Sequence, residues 1–435
     1  MSPERKGFGA PVRDFAAGPA VAQRPTRPFA LLGATWNDPR AGVGGTVEVR
    51  THAVSGRWTR WQSLEVDESS GTGRGSTDPL WVGDSDGVQA RIVTADGEVG
   101  PQPAGLRLDL INPGADPPAA RPRLRPRTAV TPAAPSPDVR LQPRPRPRLI
   151  TRSGWGANEK IVALKPEYTT DVQTIFVHHT AGTNFYTCGQ SARIIRAIQA
   201  FHVRSKGWND IGYNFVVDKC GTLFEGRKGG ESLPVLGAHT LGFNSHSAAI
   251  AVIGNYTAIA APARVKNIIA QIAAYKLGAY RNLANTRVVL TSNGSDRYLK
   301  GTRVVLNRIA GHRDAGRTEC PGNTLYAQLP AIRAIAAAGP AGFRLIRMAG
   351  ATYANSRFYT RGLIRPLWTT GTPSALMDRF DVLVDSRLVG SLPNTNRTTT
   401  LRLAPGKHTL TVRAVHLSGR TKTTTIRVVA IARAR

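Results

Sequence analysis

Acidic residues are scarce in this chain: 28 Asp and Glu stand against 58 Lys and Arg in 435 residues, a formal charge of +30. That balance excludes an acidic, solvating chain and favours polyanionic partners, whether nucleic acid, anionic membrane or an anionic cell wall. Cysteine is scarcer still, limited to Cys188, Cys220 and Cys320. Three cysteines exclude a disulfide-dense scaffold, and the odd count leaves one thiol outside any pair. Long apolar runs are missing. No stretch has the length of a membrane-spanning helix, and the opening MSPERKGFGAPVRDFAAGPA holds no apolar core of the length a secretory signal needs. The chain is therefore expected to be cytosolic, or exported with a signal that this sequence does not carry.

What is present points to several globular domains, since the hydrophobic fraction is ordinary and the length exceeds one core. Residues 1–27 are polar and rich in Pro, Gly and Ala, and are expected to be disordered. Residues 28–112 alternate in short runs such as TVEVRTHAV, VQARIV and LRLDLI, separated by Gly and Asp turns. They predict a small all-β domain, with Trp36, Trp58, Trp61 and Trp81 serving mainly as core. Residues 113–148 read as a Pro/Arg-rich linker, stiff and extended, either a solvated spacer or a basic strap for an anionic polymer. Residues 149–340 alternate strand-like runs (TIFVHH, YNFVVD, AIAVIG) with helical ones (SARIIRAIQAFHV, NIIAQIAAYKLGAYRNL, TLYAQLPAIRAIAAA). This predicts a central α/β domain, a mixed sheet flanked by helices. Residues 341–435 are strand-rich again, with a Pro405-Gly406 turn, and predict an immunoglobulin- or fibronectin-like β-sandwich.

Six of the nine histidines fall between residues 178 and 312: His178, His179, His202, His239, His246 and His312. In GHRDAGRTECPG, a His and a Cys lie eight residues apart in a Gly- and Pro-bounded loop. Imidazole and thiolate are preferred zinc ligands, and TIFVHH would deliver a third from the end of a strand. Two histidines, one cysteine and a water make a catalytic zinc site with one open position. From spacing alone, the competing reading is a set of buried core residues. A core role is the natural reading of His179, His202 and His246.

The stretch from about Arg152 to Tyr326 resembles the peptidoglycan recognition proteins and the related N-acetylmuramoyl-L-alanine amidases, a family that includes a phage lysozyme. The resemblance rests on RSGWGA, IFVHHTAGT, IQAFHVRSKGWNDIGYNF, GTLFEGR, GAHTLGFNSHSAAIAVIGNY and GHRDAGRTECPG, in that order. It implies an amidase that cuts the bond between N-acetylmuramic acid and L-alanine, with Zn2+ held by His178, His312 and Cys320. It also implies that Tyr213 steadies the reacting carbonyl. Thr318 joins the catalytic set at a position where the phage lysozyme has Lys. Trp208, Arg227, His239 and Asn244 lie in motifs that line the family's peptide groove. Members without the Cys bind peptidoglycan and do not cut it, so a non-catalytic recognition module is the alternative.

Cys188 and Cys220 lie in the same domain outside the zinc motifs, and are expected to form a disulfide, which implies an oxidising compartment. Peptidoglycan is the expected partner, with anionic wall polymers a further one through the basic linker. The aromatic-plus-basic platform of a specific nucleic-acid binder is missing. The arrangement looks like exported amidases of high-GC Gram-positive bacteria, secreted or wall-associated, and a monomer is favoured.

Overall fold

The computed structural model describes residues 20–67, 73–94, 102–114 and 144–431. Residues 1–19 and most of the Pro/Arg linker, 115–143, lie outside the described residues, so the readings of a disordered start and a basic strap have no structural counterpart here. Strand β1 begins at Ala20, inside the segment expected to be disordered. Contacts divide the chain into two compact units, each taken over its described residues. The first is Met1–Arg125, Arg148–Ile269 and Arg287–Pro330; the second is Pro126–Pro147, Ala270–Thr286 and Ala331–Arg435.

The first unit opens with seven strands: β1 (Ala20–Trp36), β2 (Thr46–Ala53), β3 (Gln62–Leu64), β4 (Val66–Asp67), β5 (Gly75–Thr77), β6 (Leu80–Val93) and β7 (Arg107–Ile111). They form one sheet in the order β3-β2-β6-β1-β5-β4, with β7 also on β1. Alternation along β2 turns Val47 and Val49 into a core with Leu32, Trp36, Val88 and Leu108. Of the four tryptophans expected as core, Trp36 and Trp81 are buried. Trp58 and Trp61 lie half-exposed under guanidinium groups, with Arg91 Cζ 4.3 Å from the Trp61 ring. Cation–π stacking satisfies those rings without burial.

The rest of this unit carries the short helix α1 (Arg152–Trp155), then β8 (Thr174–His179), α2 (Ser191–Ala200), β9 (Phe215–Val217), β10 (Leu223–Glu225) and β11 (Ser247–Val252). Strands β12 (Arg287–Thr291), β13 (Arg303–Asn307) and β14 (Ile309–Gly311) follow, while helices α3 (Ala263–Ala279) and α4 (Asn323–Ala337) begin in this unit and end in the second, from Ala270 and Ala331 onward. The central sheet runs β10-β9-β11-β8-β14 and is mixed, with β8 parallel to both neighbours. Every residue of β8 is buried, as a strand covered on both faces requires. The β12–β13 ribbon turns Val288, Leu290, Val304 and Leu306 inward against Phe176 and Phe243.

Helix α2 stops at Ala200, short of the run that its periodicity predicts. Phe201–Ser205 then form a π-helical turn, closed by the Lys206 N–H donating to the Phe201 carbonyl at 3.1 Å. Gly207, at φ +80°, reverses the chain into Trp208, whose N–H returns to the His202 carbonyl. Such widened turns redirect side chains, and here they present His202, Lys206 and Trp208.

The second unit carries β15 (Arg344–Ala354), β16 (Arg357–Thr369), β17 (Met377–Val384), β18 (Arg387–Pro393), β19 (Leu401–Arg402), β20 (Gly406–His416) and β21 (Thr421–Ala430). They connect in the order β15-β16-β21-β20-β17-β18, with β19 also on β16 and β16 parallel to β21. Trp368, Phe380, Met377, Leu410 and Val412 form its core.

Candidate metal centre and its groove

Strand β8 delivers His178 and His179 to its C-terminal end, and the pleat sends them to opposite faces. His179 is engaged elsewhere: its Nδ1 accepts from the Tyr256 N–H at 3.2 Å. His178 faces the loop after β14, which supplies His312 and Cys320. The donor atoms of His178, His312 and Cys320 all lie within 4.8 Å of one another, and all three residues are buried. Cys320 Sγ is 3.6 Å from His178 Nδ1. Tetrahedral zinc bonded to one sulfur and one nitrogen would separate those atoms by about 3.6 Å, so the pair fits the ion.

The loop is shaped by its own bonds. Gly311 N–H donates to Asp314 Oδ2 at 2.9 Å, and Tyr326 OH to Asp314 Oδ1 at 2.6 Å. Gly311 is needed because a Cβ there would lie 2.7 Å from the Tyr326 ring. Arg313 N–H donates to the Cys320 carbonyl at 3.0 Å, closing the loop on itself. Thr318 Oγ1 accepts the Cys320 N–H at 3.1 Å, and His179 N–H points at Sγ at 3.4 Å.

Electrostatics suit a metal. Burial holds His178 well below the usual histidine range, with His312, His239 and His179 adding to the effect. Burial likewise lowers His312 to about 4, opposed by Asp67 and Asp296. Both imidazoles are thus neutral, the form that binds metal. Burial pushes the Cys320 thiol up, so a thiolate here requires a cation beside it.

A residue that sequence reasoning missed lies against the first candidate ligand. Thr240 Oγ1 lies 3.5 Å from His178 Nε2 and 3.0 Å from His239 Nδ1. His178 Nδ1 is turned to Cys320; were it to hold a metal, Nε2 would carry the proton and point it at this hydroxyl, the usual device for fixing a ligating histidine. Only the motif GAHT hinted at it, since a threonine beside a groove histidine has no distinctive spacing.

The groove candidates divide. Tyr213 is buried with its ring 5.3 Å from that of His178, and burial raises its pKa well above the ordinary phenol value. The His239 ring is 5.4 Å from His178, and its Nε2 has no partner among the described residues. The Trp208 ring packs tilted against His202, centroids 4.7 Å apart. Arg227 donates Nη1–H to the Ile211 carbonyl at 3.2 Å. Asn244 works within its own loop, where Oδ1 accepts from the His239 and Thr240 N–H groups at 2.8 and 2.9 Å.

Away from the site, Cys188 and Cys220 form a disulfide with Cα atoms 6.3 Å apart. That bond accounts for their grouping with Asp218, which otherwise has the composition of a metal set. No helix among the described residues is long and apolar enough to cross a membrane.

The fold and donor set together define a domain of the amidase and peptidoglycan-recognition class, and comparison with known proteins agrees. Residues 168–323 match the family described as N-acetylmuramoyl-L-alanine amidase. Residues 3–129 match the family described as Rv3811 N-terminal galactose-binding domain-like. The chain is 32% identical over 183 residues to peptidoglycan-recognition protein SC2 of Drosophila simulans, covering 42% of this chain and 84% of the relative. It is 32% identical over 190 residues to the human N-acetylmuramoyl-L-alanine amidase, covering 41% of this chain and 27% of that protein. Among solved structures, Drosophila PGRP-LB is 26% identical with a TM-score of 0.33, covering 42% of this chain and 93% of that one. This chain belongs to the peptidoglycan recognition protein and N-acetylmuramoyl-L-alanine amidase family, with a galactose-binding-like domain ahead of the amidase domain.

Proposed function

We propose that this chain is a zinc-dependent N-acetylmuramoyl-L-alanine amidase that hydrolyses the amide between the lactyl group of muramic acid and L-alanine in peptidoglycan. The observation that carries the reading is the convergence of a His178 nitrogen, a His312 nitrogen and Cys320 Sγ at the end of β8, within 4.8 Å. Two neutral imidazoles and one thiol make a three-ligand set that leaves a coordination position open, the pattern of a catalytic rather than a structural zinc site.

Zinc bound there supplies a Lewis acid that makes water nucleophilic near neutral pH. The chain's own residues do the rest. Tyr213 stays a neutral phenol, because burial disfavours its anion, and so it donates to the carbonyl oxygen as negative charge develops there. Thr318 accepts the Cys320 N–H and keeps its own proton to donate. It holds no charge, so it orients groups and does not ferry a proton. Thr240 holds His178 in register. Trp208, His239 and Arg227 offer an aromatic face and polar groups to a stem peptide.

The galactose-binding-like domain, the Pro/Arg linker and the C-terminal domain fit an enzyme that works on the cell wall, secreted or wall-bound. The linker's charge suits anionic wall polymers. The strand order of the second unit suits an immunoglobulin- or fibronectin-like accessory domain.

The test is Cys320→Ser, with bound zinc measured by elemental analysis and turnover followed on purified peptidoglycan. Metal and activity are expected to fall together. Stoichiometric zinc in the parent protein with no cleavage of several peptidoglycans would remove the enzyme reading and leave a recognition module.

A further inference from the structure

Strands β16, β21 and β20 lie side by side in the second unit. Their registers pair Phe358 with Val428, and Thr409 with Arg427. Alternation then sets Arg357, Arg427 and Thr409 on one face of the sheet, in neighbouring positions across the three strands. Val428 and Leu410, next in each chain, turn inward and are buried. Lys407, two residues before Thr409, shares the outer face and is exposed, as is Arg427. A cleft of about 170 Å³ opens at this place, and its walls include Arg357, Lys407, His408, Thr409 and Arg427.

These cations differ from the arginines further along the same sheet. Arg413 donates to Asp381 Oδ2 at 2.8 and 3.0 Å, and Arg379 donates to Asp381 at 2.9 Å and Asp378 at 2.7 Å. Arg357, Lys407 and Arg427 have no carboxylate partner among the described residues. The acid beside the cleft, Asp385, is engaged already. Its Oδ2 lies 2.7 Å from His408 Nδ1, and its Oδ1 accepts the Thr409 N–H at 2.8 Å. His408 Nε2 faces the Ala404 carbonyl at 2.8 Å. An acceptor on each ring nitrogen favours the doubly protonated ring, and the Asp385 bond raises the His408 pKa above the usual histidine range. The charges of His408 and Asp385 therefore cancel, and two guanidiniums and one ammonium remain around one cleft.

Like charges around a cleft repel, and a bound anion removes that repulsion. Guanidinium groups present N–H donors as forks that match pairs of phosphate oxygens, and an ammonium adds a compact charge. The Thr409 hydroxyl can donate to a further oxygen. Beyond the cleft the outer face is lined with neutral hydroxyls: Thr411 stands opposite Thr425, their oxygens 3.0 Å apart. Such a surface suits a ligand that carries alcohol groups beside its phosphates. Single-stranded nucleic acid binds by stacking its bases on aromatic rings as well as by charge. The walls of the cleft hold no aromatic ring except His408, whose two nitrogens are both engaged.

We propose that this cleft is a phosphate-binding site whose ligand is a polyol phosphodiester polymer. Arg357 and Arg427 grip one phosphate, Lys407 supports the charge beside it, and the threonine face receives the hydroxyls of the adjoining unit. That the polymer belongs to a cell wall, and that the second unit holds an enzyme there, rests on the amidase reading; the phosphate site does not.

Isothermal titration calorimetry on the full-length protein, at physiological salt, compares a glycerol-phosphate polymer with polyglutamate and single-stranded DNA of matched charge. The glycerol-phosphate polymer is expected to bind most tightly. Arg357→Gln/Arg427→Gln should weaken it by about tenfold or more, since one hydrogen bond to a charged group is worth about that factor. Arg344→Gln/Arg387→Gln removes the same charge at exposed positions outside the cleft, and should stay within about twofold of the parent. Equal losses in the two double variants, or polyglutamate bound as tightly as the phosphate polymer, would reduce the interaction to net charge and overturn the site. DNA bound more tightly than the polymer, and released by the cleft substitutions, would overturn the polyol assignment. If thermal unfolding shows the cleft variant to be destabilised, Lys407→Gln decides: a loss of about threefold, the size of an exposed ion pair, is expected, and unchanged binding overturns the proposal. Cleavage of a soluble muropeptide should be the same in the parent and the cleft variant. Polymer binding as expected with no cleavage by any variant would count against the amidase reading and leave the phosphate site intact.

Discussion

Replacing Thr240 with Val removes one hydroxyl and keeps the shape. In the folded protein that hydroxyl serves His239 Nδ1 at 3.0 Å and His178 Nε2 at 3.5 Å. Loss of a partner that orients a ligating histidine typically weakens metal binding by about 10–100-fold. The 3.5 Å separation is long for a hydrogen bond, which places the expected effect at the low end, about tenfold or about 1.4 kcal/mol. Two buried ring nitrogens lose their shared partner, so the fold should also lose about 1–3 kcal/mol. Zinc affinity is read by competition with a chelator of known strength, and stability by urea unfolding of the metal-free protein. Thr240→Ser keeps the hydroxyl and should bind zinc within about twofold of the parent. Undiminished affinity in Thr240→Val, or an equal loss in Thr240→Ser, would refute the assignment of Thr240 as the group that holds His178.

Gly311→Ala forces a Cβ to 2.7 Å from the Tyr326 ring and 2.9 Å from Pro321; overpacking of this kind should destabilise by about 1–3 kcal/mol, checked by urea unfolding. The double variant Cys188→Ala/Cys220→Ala opens a loop with a sequence separation of 32, which should cost about 3.5 kcal/mol in the stability of the first unit. In the second unit, burial lowers the fully buried His416 to about 4 from 6.5, with Arg144 and Arg420 adding to the effect. Its Nδ1 accepts the Ser418 N–H at 3.0 Å, so protonation there breaks a bond. The unfolded chain binds this proton below pH 6.5 and the folded chain only near 4, so stability is complete above 6.5 and declines as pH falls between them. The decline amounts to about 3 kcal/mol, and His416→Gln should abolish that share of the pH dependence in denaturant titrations.

The grouping of His178, His312 and Cys320 was legible because these residues sit in motifs: a His at the end of an apolar strand, and His and Cys in one Gly- and Pro-bounded loop. The alternation of strand-like and helical runs announced an α/β domain, since α2 shows a helical period and β8 is a short, continuously buried run of strand length. Helix α2 ended early because periodicity does not register the π-helical turn at Phe201–Ser205, which depends on where Lys206 and Trp208 must point. Trp58 and Trp61 carry an aromatic signature that says nothing of whether burial or a guanidinium satisfies them. The placement of Asp67 on Lys206 was invisible for a further reason. The two lie 139 positions apart, and in a chain of charge +30 any single Lys looks solvated. Asn244, expected in the groove, has its Oδ1 engaged by the His239 and Thr240 N–H groups of its own loop, a bond that residue type alone does not announce.

The central claim is the bond that is cut and the metal that cuts it. Mass spectrometry of products from defined muropeptides, with and without a zinc chelator, reads both at once. Release of intact stem peptides with a free L-alanine amino terminus, abolished by the chelator and restored by zinc, is the predicted result. Unchanged muropeptides bound by a zinc-loaded protein, or cleavage that survives removal of the metal, would contradict it.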